Sequence, residues 1–160
     1  MAASGAQRRG SLAAPVFRNL LVAIDGSAVA QRALQHAIEL ADALHARLTI
    51  VAAVPELPPF ALAAGVDTTA LRKAADDEVE RRLREAVDRV PDSVSVTSIL
   101  RHGPPAREIL AVARAGQHDL LIMGSRGRGR LASNMLGSVA ADVHFGTTLP
   151  MLVIHPDHDD

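Results

Sequence analysis

Short, unbroken apolar runs alternate along this chain with segments of helical period, and that alternation limits the fold more than any other feature. Asn19-Leu20-Leu21-Val22-Ala23-Ile24-Asp25 holds only apolar residues between its two ends and closes on Gly26-Ser27. A run of this kind is the pattern of a strand buried on both faces. From Ser27 the period changes. Ala30, Ala33, Leu34, Ala37, Ile38, Ala41 and Leu44 share one helical face, with Ser27 placed to cap it. Arg47–Val54 is a second buried run, ended by Pro55 and Pro58-Pro59, and residues 55–66 read as an irregular connection. A charged helix follows, with Leu71, Ala75, Val79, Leu83, Val87 and Val90 on a core-facing stripe, and Pro91 stops it.

Val94, Val96, Ile99 and Leu100 predict a third strand, whose extra Ser and Thr place it near a sheet edge. Pro104-Pro105 open a helix carrying Ile109, Leu110 and Ala113, which Gly116 closes. Asp119–Met123 is another buried strand, followed by a glycine-rich loop and a helix from about Ser138 to Phe145. Met151–Ile154 is the last strand. Five strands alternating with four helices predict a doubly wound α/β domain with a parallel sheet. The chain of 160 residues suffices for one such core. Residues 17–155 read as that domain, 1–16 as a flexible extension and 156–160 as a polar tail.

Composition narrows the function. A net charge of −1 supplies no global basic field for nucleic acid. Three Phe without Trp or Tyr leave no stacking platform for single-stranded bases. The absence of cysteine excludes disulfides, thiol catalysis and cysteine-ligated metal centres, and suits a cytoplasmic protein. No apolar run approaches the roughly 18 residues that cross a bilayer. The Leu12-Ala13-Ala14 segment after Arg8-Arg9 is too short for the apolar part of a signal peptide. The seven histidines show no metal-ligand spacing: His155 and His158 stand in a polar tail, and His102 and His118 near strand ends.

In open sheets of this type, ligands bind beyond the C-terminal strand ends, where the winding reverses. Two polar stretches lie at such ends: Asp25-Gly26-Ser27, and MGSRGRGRLASNMLGS over residues 123–138. Within the second, Gly127 to Ala132 satisfies G-x-G-x-x-A. That dinucleotide fingerprint belongs in the first βα turn, with an acid ending the next strand, whereas the next strand here ends in Ile154-His155. The span from Gly124 to Gly129 has Walker spacing, but Arg130-Leu131 stand where lysine and a Mg²⁺-binding hydroxyl are needed. A wider frame fits throughout: Gly124, Gly127, Gly137 and Ser138, that is G-x2-G-x9-G-S. Early glycines admit an anion to backbone N–H groups, and the late Gly-Ser pair opens a helix whose free N–H groups favour phosphate. Arg126, Arg128 and Arg130 add positive charge to the loop. Ser138 suits both N-cap and phosphate donor, and Asp25 suits both a cap of the first helix and a ligand contact.

In these residues the chain resembles the universal stress proteins, in particular their ATP-binding branch. The resemblance spans roughly residues 17–155 and rests on Ala23–Ser27, Gly103–Leu110, Asp119–Gly127 and Leu136–Ala140. It implies a flavodoxin-like sheet of order 3-2-1-4-5 with ATP, with or without Mg²⁺, across strands 1 and 4. Ile24, Asp25 and Gly26 would then line the nucleoside side, and Ala53 would meet adenine through its backbone. Met123, Gly124, Arg126 and Gly127 would follow the ribose and first phosphates. Gly137, Ser138, Val139 and Ala140 would hold the outer phosphates. Where the family often carries a hydroxyl residue, this chain has Ala140. The resemblance also implies a homodimer paired through Met151–Ile154.

Hydrolysis requires a group that orients water, and Asp25 is the one candidate, with nothing marking it as a tuned base. The residues thus favour a nucleotide-binding regulatory protein over an enzyme. A slow ATPase, an AMP- or cAMP-binding protein and a nucleotide-free dimeric scaffold are the alternatives.

Overall fold

The computed structural model describes residues 17–57, 67–127 and 136–156. The expected N-terminal extension, most of the 55–66 connection, the loop centre with Arg128, Gly129 and Arg130, and His158 in the tail lie outside them. Five strands, β1 (Asn19–Ala23), β2 (Arg47–Val54), β3 (Val96–His102), β4 (Leu120–Gly124) and β5 (Met151–Ile154), form one sheet of order β3-β2-β1-β4-β5. All four neighbouring pairs are parallel. The helices among the described residues are α1 (Ala28–Leu44), α2 (Thr68–Asp88), α3 (Pro105–Ala115) and α4 (Ser138–Gly146). The strand order is the one the resemblance implies.

Strand periodicity of two sorts the apolar residues onto the two faces. Leu20 and Val22 of β1, Leu48 and Ile50 of β2, and Ile122 of β4 pack with α1 residues Ala33, Leu34 and Ala37 and with α2 residues Val79 and Leu83. Leu21 and Ala23, Val51, Leu121 and Met123 face the other way, onto Ile109 and Val112 of α3 and Ala140 and Val143 of α4. β1, β2 and β4 are therefore coated on both sides, as their unbroken apolar runs require. β3 lies at an edge, as its Ser and Thr predict.

Three boundaries differ from the sequence reading. Val94 is buried but precedes β3, in a turn where its N–H donates to the Pro91 carbonyl at 2.9 Å. Leu71, in the first turn of α2, is 42% exposed instead of joining the core stripe. Ser138 is the first residue of α4, and Gly137, with extended backbone (φ −62°, ψ 155°), is its N-cap. By contrast, Ser27 caps α1 as expected, its Oγ accepting from the Ala30 N–H at 3.2 Å.

The winding reverses between β1 and β4. From β1 the chain moves outward through β2 to β3, then returns to β4 on the opposite side of β1. Ala23 is in register with both Val51 and Met123, so the three central strands present adjacent C-terminal ends.

Candidate functional site

At that reversal lies a cleft of about 260 Å³. Its apolar floor comes from the strand ends and the helix faces above them: Ala23, Val51, Ala53 and Met123, with Ile109 of α3 and Ala140 of α4. Its polar rim comes from Asp25, the main chain of Gly124 to Gly127, and Gly137-Ser138. Apolar walls with a few convergent polar groups are the usual make-up of a small-molecule site.

The loops meet through specific contacts. The Asp25 carboxylate accepts from the Ser27 N–H through Oδ1 at 2.9 Å, a turn that aims the side chain along the strand end. Its Oδ2 lies against Gly127: a Cβ at that glycine would stand 2.8 Å from the oxygen. No side chain larger than hydrogen fits there without displacing the acid. On the far side, Ser125 joins three elements by its backbone. Its N–H donates to Ile154 of β5 and its carbonyl accepts from Gly137, both at 2.7 Å. The two ends of the glycine frame, separated by nine residues in sequence, are thereby pinned together. The Ser125 hydroxyl itself is buried without a hydrogen-bond partner among the described residues.

The start of α4 bears on anion binding. Its N-cap is glycine, and no side chain among the described residues caps the first turn. The first-turn N–H groups, which lack a side-chain cap among the described residues, and the positive end of the helix dipole therefore lie at the cleft rim with Gly137 and Ser138. Arg126 lines the same cleft.

Ile24, Asp25, Ala53, Met123, Gly124, Arg126, Gly127, Gly137, Ser138, Val139 and Ala140 thus come together around one cavity. Gly26 does not. It lines a second cleft, of about 250 Å³, between α1 and α2, where it faces Arg82. Its φ of +86° is a backbone conformation that glycine adopts without the cost a Cβ would add. Pro55, Pro105 and Ile109 line the first cleft without having been singled out as site residues. The Gly103–Leu110 segment was visible in the sequence, but its apolar members read there only as helix start and core.

His102 Nε2 lies 2.8 Å from Asp76 Oδ1, and buried His118 approaches the Ala113 carbonyl through Nδ1 at 3.4 Å. Among the described residues no three His, Asp or Glu side chains gather as metal ligands. No helix among them is long and apolar enough to cross a membrane.

Residues 17–155 match the model of the universal stress protein family. The universal stress protein YxiE of Bacillus subtilis is 31% identical over 147 residues, spanning 87% of this chain and 99% of that protein. A solved structure from the same family in Burkholderia pseudomallei is 30% identical, with a TM-score of 0.70 over 88% of this chain and 98% of that one. A universal stress protein solved in complex with cAMP is 25% identical, with a TM-score of 0.67 over the same shares, 88% and 98%.

Proposed function

The chain belongs to the universal stress protein family, and from that premise we propose that it is a cytoplasmic, ATP-binding regulatory protein of the stress response. The nucleotide lies in the cleft between the end of β1 and the glycine frame after β4. One observation carries this reading: a strand-end carboxylate, a glycine closely abutted by that carboxylate and a helix N-terminus without a side-chain cap among the described residues converge on one apolar-floored cavity. The cAMP complex of a relative supports an adenine nucleotide as the ligand class.

In this reading the adenine ring covers the Val51–Ala53 and Met123 floor, with hydrogen bonding through the Ala53 backbone. Ile24 and Asp25 hold the nucleoside. Gly124, Arg126 and Gly127 follow the sugar and inner phosphates. Gly137, Ser138, Val139 and Ala140 take the outer phosphates on the open N–H groups of α4, where each dipole–anion contact contributes about 0.3–1 kcal/mol. Ser138 serves as a hydroxyl donor to phosphate, since Gly137 already occupies the cap position. Ala140 supplies no side-chain hydrogen bond. The occupant works as a signal, altering the dimer or its partners, and turnover is at most slow.

Purified protein, denatured and analysed by mass, should release ATP. Release of cAMP or AMP would change the ligand, and absence of any nucleotide, with no binding on titration, would favour the scaffold. Gly127→Val should reduce ATP affinity at least about tenfold, because a side chain there displaces Asp25 and blocks backbone approach. Unchanged affinity in that variant would move the site elsewhere.

A further inference from the structure

Gly26 and Arg82 are 56 positions apart in sequence, yet the structure builds them as a unit. The Arg82 side chain, on α2, is only 20% exposed. Its Nη1 donates to the Asp25 carbonyl oxygen at 3.1 Å, and its Nη2 pairs with Glu78 Oε1 at 2.6 Å, one helical turn earlier. Its Nε lies so close to Gly26 that a Cβ there would stand 2.8 Å away. The absent side chain at Gly26 leaves the room in which the guanidinium reaches the carbonyl of the preceding residue.

The consequence concerns Asp25. Its Oδ1 is engaged by the Ser27 N–H and its carbonyl by Arg82, while Oδ2 faces Gly127 at the first cleft. The peptide and one carboxylate oxygen are fixed from behind, and the remaining oxygen is presented forward. We propose that Arg82 is a positioning residue for the nucleoside side of the cleft, holding the Asp25-Gly26 turn from its rear so that the Asp25 carboxylate is pre-oriented. Glu78 fixes the guanidinium in turn. Arg82 does not itself line the first cavity; its bond to a residue that does is the one to the Asp25 carbonyl. Its ligand consequence rests on the nucleotide reading above, whereas its hold on the turn does not.

The test uses the full chain with Arg82→Met, which keeps length and apolar bulk, and Arg82→Lys, which restores one cationic donor. The first readout needs no ligand: amide hydrogen exchange at Ser27, whose N–H is bonded to Asp25 Oδ1. In Arg82→Met it should rise about tenfold, the scale of one lost charge-assisted hydrogen bond, with exchange in β4 unchanged. Arg82→Lys should recover part of the protection. The second readout is affinity for adenosine and for ATP, measured well below each variant's melting temperature. Arg82→Met should weaken both by the same factor of about ten, because the loss is on the nucleoside side. Unchanged Ser27 exchange overturns the positioning role. Altered exchange with unchanged adenosine and ATP affinity in a protein that binds both overturns its functional consequence. If the wild-type chain binds neither, the nucleotide reading fails and the exchange result still decides whether Arg82 holds the turn.

Discussion

Gly26 shows how much a single backbone angle carries. A residue with a Cβ at φ +86° is strained by about 1–2 kcal/mol from the backbone alone, and here the Cβ also meets Arg82 Nε. Gly26→Ala should therefore lower unfolding stability by at least that amount in urea titrations. In an Arg82→Met background the collision with the guanidinium disappears while the backbone strain stays, so the second substitution should recover part of the loss. Strict additivity of the two effects would show that the contact carries no energy. The sequence shows Gly26 only as part of Asp-Gly-Ser at a strand end, which reads as a ligand loop. Its partner was illegible, because nothing in local pattern links position 26 to position 82. Ser138 was misplaced for a related reason: a hydroxyl before an apolar run is a good cap, but the preceding glycine reaches the extended backbone of that position. Asp25 and Gly127 were legible, because strand-end acids and spaced glycines each have a restricted set of uses.

Elements were readable where burial is two-sided. β1 and β4 are apolar past the first residue of β1, β2 carries only Arg47 at its start and the buried Thr49, and each lies between two helical layers. Val94 misled because a buried turn residue and a buried strand residue look alike in hydropathy; its N–H bond to Pro91 tells them apart only in three dimensions. Leu71 kept the helical period but sits in the first turn of α2, where periodicity continues after contact with the sheet has ended. The outer face of α2 carries a ladder of ion pairs, in which Glu78 is bonded to both Arg81 and Arg82. The Arg81 hydrogen bond, aided by Arg82 and opposed by partial desolvation, holds the Glu78 carboxyl below its ordinary 4.5. A depressed folded pKa gives stability that is present above the unfolded value and is lost as pH falls through the folded one. The urea midpoint of wild type should thus exceed that of Glu78→Gln by a constant margin at neutral pH. Below 4.5 the margin should shrink and close. A margin independent of pH down to acid unfolding would show that Glu78 contributes by packing and not by charge.

For the molecule as a whole, the open question in the sheet is its β5 edge. β3 and β5 are the two edge strands, and an unprotected edge presents N–H and C=O groups ready to pair with another chain. β5 is the expected seam of a homodimer, and its hydrogen-bond phase shows how to test that without unfolding the domain. Leu121 and Ser125 of the β4 side donate to the carbonyls of Pro150 and Ile154, at 3.0 and 2.7 Å. Because successive residues of a strand point their backbone groups to opposite sides, Leu152 also turns toward β4. Met151 and Val153 then direct their N–H groups to the open edge. Val153→Pro removes an outward donor and leaves the β4 ladder its bonds, the one strand setting in which proline is tolerated. The chain mass is 16.9 kDa, so sedimentation of the wild type should give roughly twice that value as a dimer. Val153→Pro should sediment as the monomer with an unchanged far-ultraviolet spectrum. Ser125 makes the result relevant to the cleft, since one residue bonds Ile154 of β5 and Gly137 at the start of α4. If occupancy of the cleft is transmitted to the edge along that path, ATP should shift the dimer dissociation constant of the wild type. By reciprocity, and because the dimer holds two equivalent sites, the monomeric variant should bind ATP with a per-site affinity altered by the square root of that factor. A dimer that survives Val153→Pro places the subunit seam on another surface and removes β5 from any such coupling.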